Sequence, residues 1–478
     1  MLLKDEQKLI MNDSRKNYLL KNTFIFTIGN LGSKLITFFL VPLYTNMLST
    51  KEYGVADLIT TVCSVLAPIL ILNISESLMR FNLDKGVNKE KITKIAIRIF
   101  EISIVIGALL IPVYELFDTL REYSVCIFLY NISIGASTVF LYDLRGKELL
   151  VEYSIGSIIL TFSSAILNIV FLVNLKMGVK GYILSFIIAN FVTAIYAAIV
   201  GKAFFNYRRT KFDRKKMYEM VKFSSLLIPN TFMWWIMNSS DRVMVSSMVG
   251  NAANGIYAIS YKLPTLISTL TGIFNQAWGY SAIKEEGAKD ENEYNNAIFR
   301  KLISIAMLMG IGMLTVIKPF LYFYVEKSYY IAWEYTPFLI IGCVYLTMGT
   351  FMSSTYNVHK DSLGFVLSAS VGAFSNIVLN FVFIPRFKVY GAALATCISY
   401  IIVFIFRYFH TRKYIKFDIK NKEFIVGSIL LLSSSFFIYL DNLIGIIFQI
   451  IILILTLITY SDIFKLLVEW VEKSIKRK

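Results

Sequence analysis

Most of the polar side chains that could act on a ligand in this chain lie inside apolar stretches. The first such stretch carries Thr23, Thr27, Asn30, Lys34 and Thr37 in steps of three and four. That spacing places one polar stripe on one helix face, with a cation near its middle. A later stretch carries Asn230, Trp234, Asn238 and Asp241, followed by Arg242. Asp57, Thr61 and Ser64 lie in a second stretch, and Lys262, Thr265 and Thr269 lie in its later counterpart. Ionisable groups are costly in an apolar medium and tend to face a cavity or a partner helix. Lys34, Arg242 and Lys262 could bind an anion, Asp241 could orient Arg242, and Asn30, Asn238 and Trp234 could replace water around a polar solute. Asp57, Glu76 and Arg80 are candidates for coupling or gating.

Each assignment has a simpler structural alternative. Asp57 and Lys262 lie near stretch ends and can reach an interface. Glu76 with Arg80, and Arg98 with Glu101, have the spacing of intrahelical ion pairs. Trp234, Trp235 and Trp278 could stack on sugar rings or simply pack. His359 and His410 show no ligand spacing and are expected to be solvated. Cys63, Cys126, Cys343 and Cys397 sit singly in apolar stretches, as small core residues rather than a disulfide or zinc framework.

The medium is set by composition. A mean hydropathy of +0.62 and 56% hydrophobic residues over 478 positions describe a membrane protein. The expected fold is an all-α polytopic bundle of about fourteen transmembrane helices. Its spans are expected at roughly 20–46, 54–76, 92–113, 122–142, 152–174, 178–201, 220–249, 255–281, 298–320, 331–356, 362–384, 390–409, 423–440 and 443–461. No cleavable signal is expected before the first span. With both termini cytoplasmic, most of the 48 Lys and Arg fall on the inner side. The formal net charge of +16 then reflects topology and contact with anionic membrane lipid, not nucleic acid.

The chain also contains a repeat. Met47-Leu48-Ser49-Thr50-Lys51-Glu52-Tyr53-Gly54 and Met248-Val249-Gly250-Asn251-Ala252-Ala253-Asn254-Gly255 share a turn-then-helix pattern at an offset of 201 (47 to 248). Asn168 and Gly181 recur as Asn376 and Gly391, at offsets of 208 and 210. Six spans separate the copies, so the halves are expected to be parallel repeats around a central cavity, the plan of many carriers. The expected segments are a cytoplasmic 1–19, an N-lobe 20–201, a basic linker 202–219, a C-lobe 220–409, a loop 410–422, two further helices in 423–461 and a basic tail 462–478. Pro42, Pro68, Pro229 and Pro264 interrupt spans of both lobes and could kink them. No phosphate-binding GxxxxGK[ST] loop occurs, so ATP-driven pumping by this chain is not expected.

The short turn ending Glu52-Tyr53-Gly54, Asp241-Arg242 before Gly255-Ile256-Tyr257, and Gly391-Ala392-Ala393-Leu394-Ala395-Thr396 resemble the Wzx-type polysaccharide flippases. These belong to the multidrug/oligosaccharidyl-lipid/polysaccharide exporter superfamily. The resemblance runs over about residues 18 to 461, through the order and spacing of individually short motifs. It implies a transporter, not an enzyme, in the bacterial plasma (inner) membrane. Its cargo would be an undecaprenyl-diphosphate-linked oligosaccharide, flipped outward for O-antigen, capsule or exopolysaccharide synthesis. A polymerase and other assembly proteins would be partners. No cofactor is implied, and the coupling ion, proton or sodium, stays open.

Under that resemblance Lys34 and Arg242 would contact the diphosphate or an acidic glycan. Three other readings remain. A lipid II flippase of the same superfamily would carry an Arg-Asp pair late in the first span, where this chain has Leu40-Val41. A multidrug/cation antiporter would want a carboxylate in the first lobe, for which Asp57 is the candidate. A membrane polymerase or glycosyltransferase would need larger external loops than the longest expected here, about Lys318 to Tyr330.

Overall fold

The computed structural model describes residues 36–84, 86–204, 207, 210–284, 287 and 289–462. These are helical with no strand among them, and eight of the helices are long and apolar enough to cross a membrane. The chain divides into two compact units. Ser49–Gly54 belongs to the second, although the residues on both sides of it belong to the first, and the other division falls between Phe232 and Met233.

The first unit contains α1 (Val41–Met47), most of α2 (Thr50–Leu70), α3 (Ile74–Asn82), α4 (Lys89–Leu109), α5 (Ser124–Gly146), α6 (Leu150–Asn168), α7 (Gly178–Val200) and α8 (Arg214–Ser225). Ile71, Ile74, Leu78, Ile92, Ile95, Val139 and Met220 form one buried core. One end is tied by Asp143, whose buried carboxylate accepts from Thr93 Oγ1 at 2.5 Å and Lys147 Nζ at 2.5 Å. Lys147 Nζ also donates to the Gly201 carbonyl at 2.7 Å, which fixes the end of α7. A buried pair of this kind is tolerated because hydrogen bonds occupy both partners.

The second unit takes Ser49–Gly54 together with most of α9 (Ile228–Met248), α10 (Asn251–Ser260), α11 (Lys262–Lys284), α12 (Glu291–Tyr324), α13 (Thr336–Val358), α14 (Ser362–His410), α15 (Lys422–Phe437) and α16 (Leu443–Thr459). Nearly every residue of α13 is buried. Glycine lets α13 approach its neighbour, since a Cβ at Gly342 would lie 3.0 Å from the Cys397 Cα. Trp278 stacks on Phe351 at 4.8 Å and donates its indole N–H to Ser354 Oγ at 3.0 Å. This tryptophan is therefore a packing residue.

Several expected spans are broken. The one expected at 220–249 is two helices, α8 and α9, separated by a turn at Leu226–Leu227. Pro229 follows that turn, at the second position of α9, where its missing N–H costs nothing. The segment read as a basic linker, 202–219, thus ends inside a helix packed on the first unit. The span expected at 255–281 breaks at Tyr261, just before Pro264. After Pro68 the chain turns through Leu72 and Asn73, both at positive φ, before α3 begins. Within α14 the backbone leaves helical geometry at Lys388, with φ at 51°, matching the expected break between the eleventh and twelfth spans. α12 is longer than expected, running 34 residues.

The histidines, expected to be solvated, are half-buried and packed against aromatic side chains. His359 stacks on Tyr414 at 4.2 Å, and His410 Nδ1 lies 3.1 Å from the Tyr356 hydroxyl. The four cysteines carry no disulfide, and three of them are buried.

Candidate functional site

Asp241 anchors the site in the second unit. It lies two turns from the end of α9 and is fully buried. Its Oδ2 accepts hydrogen bonds from Tyr257 Oη at 2.6 Å, Tyr261 Oη at 2.7 Å and Thr396 Oγ1 at 3.0 Å. Its Oδ1 accepts from the Arg242 amide at 2.9 Å. The elements explain the convergence. Tyr257 and Tyr261 are four apart, so they share a face across the α10–α11 joint. Thr396 comes from α14 beyond the Lys388 break, in a run of small residues where Gly391, Ala392 and Ala393 are buried.

A polar chain continues from this carboxylate into the unit. Asn376 Nδ2 donates to Thr396 Oγ1 and to Ser399 Oγ, each at 3.3 Å. Asn376 Oδ1 accepts from Asn380 Nδ2 at 2.9 Å and from Ser240 Oγ at 3.3 Å. Asn380 Oδ1 is buried without a hydrogen-bond partner among the described residues. Asn238 Nδ2 donates to the Trp234 carbonyl at 2.7 Å, and Asn238 Oδ1 accepts from Tyr400 Oη at 3.1 Å.

Chemically this is a buried carboxylate solvated by hydroxyls, with amide oxygens close by. Such a group is satisfied by hydrogen-bond donors when ionised, and it can instead take a proton or a small hard cation. Among the described residues no three His, Cys, Asp or Glu side chains come together.

The Arg242 guanidinium lies over the Tyr261 ring, with Cζ 5.1 Å from its centroid. Asp241 reaches Arg242 by two routes. It holds the backbone amide directly, and it holds the ring beneath the guanidinium through the Tyr261 hydroxyl. Lys262 Nζ lies 5.9 Å from the Tyr53 ring centroid, and Tyr53 packs edge-on to Tyr329 at 6.0 Å. Trp234 is half-buried and tilted against Phe365 at 6.5 Å.

The remaining expected residues lie in the first unit or outside the described residues. Lys34 and Asn30 lie outside the described residues. Asp57 is buried in the first unit, on α2. Glu76 is half-buried in the first turn of α3. Arg80 pairs with Asp84, just beyond the helix end, at 2.5 Å and not with Glu76. Arg98 and Glu101 do pair, at 2.8 Å. Tyr261, Asn376, Asn380 and Tyr400 enter the site without having been singled out as site residues. The usable signal was the spacing of Tyr257, Tyr261 and Lys262 around a short turn.

The two copies of the repeated turn meet in the second unit. A Cβ placed at Gly54 would lie 1.7 Å from the Asn251 carbonyl oxygen, and one at Gly255 would lie 2.1 Å from that of Thr50. Asn254 Nδ2 donates to the Gly54 carbonyl at 2.9 Å. The contact is reciprocal, each copy's glycine admitting the other copy's backbone. Glu52 accepts from Ser49 N at 2.9 Å and Ser49 Oγ at 2.7 Å, a capping box that fixes the first copy's turn.

A family model described as "Polysaccharide biosynthesis protein" matches residues 19–278. An uncharacterized membrane protein of Methanocaldococcus jannaschii is 22% identical over 423 residues, covering 81% of this chain and 96% of its own. Among solved structures, the lipid II flippase MurJ in an inward closed conformation superposes with a TM-score of 0.66 at 19% identity, covering 92% of this chain and 98% of its own. An inward-facing multidrug resistance MATE family transporter of the MOP superfamily gives 0.63 at 13% identity, covering 86% and 99%. At these identities the structural matches establish the fold.

Proposed function

The chain belongs to the polysaccharide biosynthesis protein family, and from that premise we propose that it is a flippase for a lipid-linked oligosaccharide. The cargo in this reading is an undecaprenyl-diphosphate-linked repeat unit, moved across the bacterial plasma membrane for O-antigen, capsule or exopolysaccharide assembly. Such a cargo has an apolar tail that can remain in lipid, together with a diphosphate and a glycan that cannot cross lipid unaided. Lys34, assigned on sequence grounds, and Arg242 meet the diphosphate, while Asn238 and Trp234 meet the glycan. A polymerase and other assembly proteins receive the product.

The observation that carries this reading is the Asp241 cluster. A fully buried carboxylate whose donors are neutral hydroxyls and an amide is a place where gain or loss of one positive charge changes the local balance strongly. Asp241 is the coupling group, taking a proton or a sodium ion. Tyr261 joins that event to Arg242, because one side chain donates to the carboxylate and lies beneath the guanidinium. Alternating access follows if the docked turns at Gly54 and Gly255 separate in one state and close in the other.

The same carboxylate favours one second reading, a cation-coupled multidrug antiporter, since it needs no glycan. Deleting the gene and analysing lipid-linked intermediates separates the two. Build-up of complete repeat units, reversed by the wild-type gene and not by Arg242→Ala, supports flipping. Normal surface polymer in the deletion strain, with altered drug sensitivity, supports the antiporter.

A further inference from the structure

We propose that α8 is a built-in sensor of anionic phospholipid at the inner face of the membrane, with Arg214, Lys215, Tyr218 and Lys222 as its contact stripe. Tyr218 lies four residues after Arg214, three after Lys215 and four before Lys222, and all four are exposed, Tyr218 at 68%. Exposed Lys211 and Phe212 extend the stripe before the helix, and exposed Phe223 and Leu226 flank its far end. The stripe holds three cations on the helix and one just before it, with no acid among them.

The opposite face is fully committed to the protein. Met217, Met220, Val221 and Ser224 repeat at the same spacing, and Met220 and Ser224 are completely buried. Ser77 Oγ donates to the Met220 carbonyl at 3.0 Å. Upstream, Lys94 Nζ donates to the carbonyls of Tyr207 at 3.0 Å and Thr210 at 2.6 Å. Asp213 caps the helix through the Lys216 amide at 3.0 Å. The acidic residues of α8 and its cap are used sideways. Glu219 pairs with Lys216 at 3.0 Å and Asp213 with Lys91 at 3.9 Å, which leaves the outer stripe uniformly positive.

A rigidly mounted helix with cations and aromatics on its outer face has the character of an interfacial helix. Tyrosine and phenylalanine favour the headgroup boundary, and clustered Lys and Arg favour anionic lipid. The helix packs through Met220 into the core that holds Ile92 and Ile95 of α4, a helix long and apolar enough to cross a membrane, so its stripe is held within reach of the lipid surface. A phosphate on the cargo offers the same charge as a phospholipid headgroup. We assign the stripe to the lipid because of its aromatic flanks and its place on the outer face of the first unit.

The test uses the full-length protein, spin-labelled at Tyr218→Cys with Cys126 replaced by Ser, in nanodiscs of phosphatidylcholine with or without phosphatidylglycerol and without cargo. With phosphatidylglycerol the label should gain exposure to lipid-soluble oxygen and lose exposure to an aqueous nickel chelate. High salt or the Arg214→Gln/Lys215→Gln/Lys222→Gln variant should abolish that change, lowering apparent affinity for the anionic lipid on the order of a hundredfold at low salt. Native mass spectrometry of the same variant, with Tyr218 unlabelled, should show fewer retained phosphatidylglycerol molecules. Equal label exposure in both lipid compositions would overturn the proposal. So would a shift that needs cargo, or one that the triple variant retains. None of these readouts requires that the protein flip anything, so the lipid proposal can fail while the flippase reading stands.

Discussion

At Asp241, three hydroxyl donors and one amide surround a carboxylate that water does not reach. Asn in its place keeps the shape, removes the charge and turns an amide N–H₂ toward groups already placed to donate. Asp241→Asn should therefore insert and fold yet lose transport by at least roughly tenfold, since one misplaced buried polar contact costs about 1–3 kcal/mol. Detergent-solution monodispersity and surface-polymer complementation together check both halves of that outcome. Tyr261→Phe is subtler. It deletes one donor and keeps the ring beneath Arg242, so it should preserve cargo binding while shifting the pH or sodium dependence of transport. An unchanged cation dependence would remove Tyr261 from the coupling path. The residues themselves were partly legible: Asp241, Arg242 and Asn238 were marked by polarity inside an apolar span. Which way Asp241 faced was not, because an adjacent cation suggests a salt bridge, and of the three hydroxyls that replace it one, Thr396, comes from a helix far along the chain.

Among the elements, the repeated turn is a matched pair of close approaches. A Cβ at either glycine would overlap a carbonyl of the other copy, so Gly54→Ala or Gly255→Ala must push the two backbones apart. Each should cost roughly 1–3 kcal/mol where the turns are docked. A cysteine pair at Thr50 and Asn251 should cross-link in the wild-type background and do so much less with either alanine; equal cross-linking would refute the docking role. A second element is the strap after α14. Asp361 accepts from Lys413 Nζ at 2.8 Å, the Gly364 amide at 2.8 Å and Tyr414 Oη at 3.1 Å. The Lys413 hydrogen bond, then the Gly364 amide, hold its carboxyl well below the usual carboxylate range, at about 2. A lowered folded value stabilises the ionised strap above the unfolded value of about 3.9 and loses that contribution as pH falls through about 2. Protection of the strap amides, referred to intrinsic exchange at each pH, should fall as pH drops through that window in the wild type and stay flat in Asp361→Asn. The eight long apolar helices were legible from hydropathy. The α8–α9 break was not, since Phe223, Leu226 and Leu227 keep the apolar run continuous and only the turn at Leu226–Leu227 ends it.

Over the whole molecule, the duplication is real in its turns and asymmetric in its chemistry. Applying the repeat offsets to Asp241, Tyr257, Tyr261 and Thr396 gives Leu40, Ala56, Thr60 and Phe186 in the first half. Only Asn376 keeps its type, as Asn168, which is buried and donates to the Ser164 carbonyl at 2.8 Å. One half retains a carboxylate and its hydroxyl shell while the other has a mostly apolar set. The repeat was readable because its glycines are fixed by backbone contact, and the division of labour was readable only once the contacting helices were known. Purified full-length protein in sealed vesicles, given a labelled polyprenyl-diphosphate oligosaccharide and an imposed proton or sodium gradient, tests this account most directly. The wild type should move the glycan across the bilayer at a rate that follows one of the two gradients, and Asp241→Asn should do neither. Gradient-dependent translocation by Asp241→Asn at the wild-type rate would contradict it.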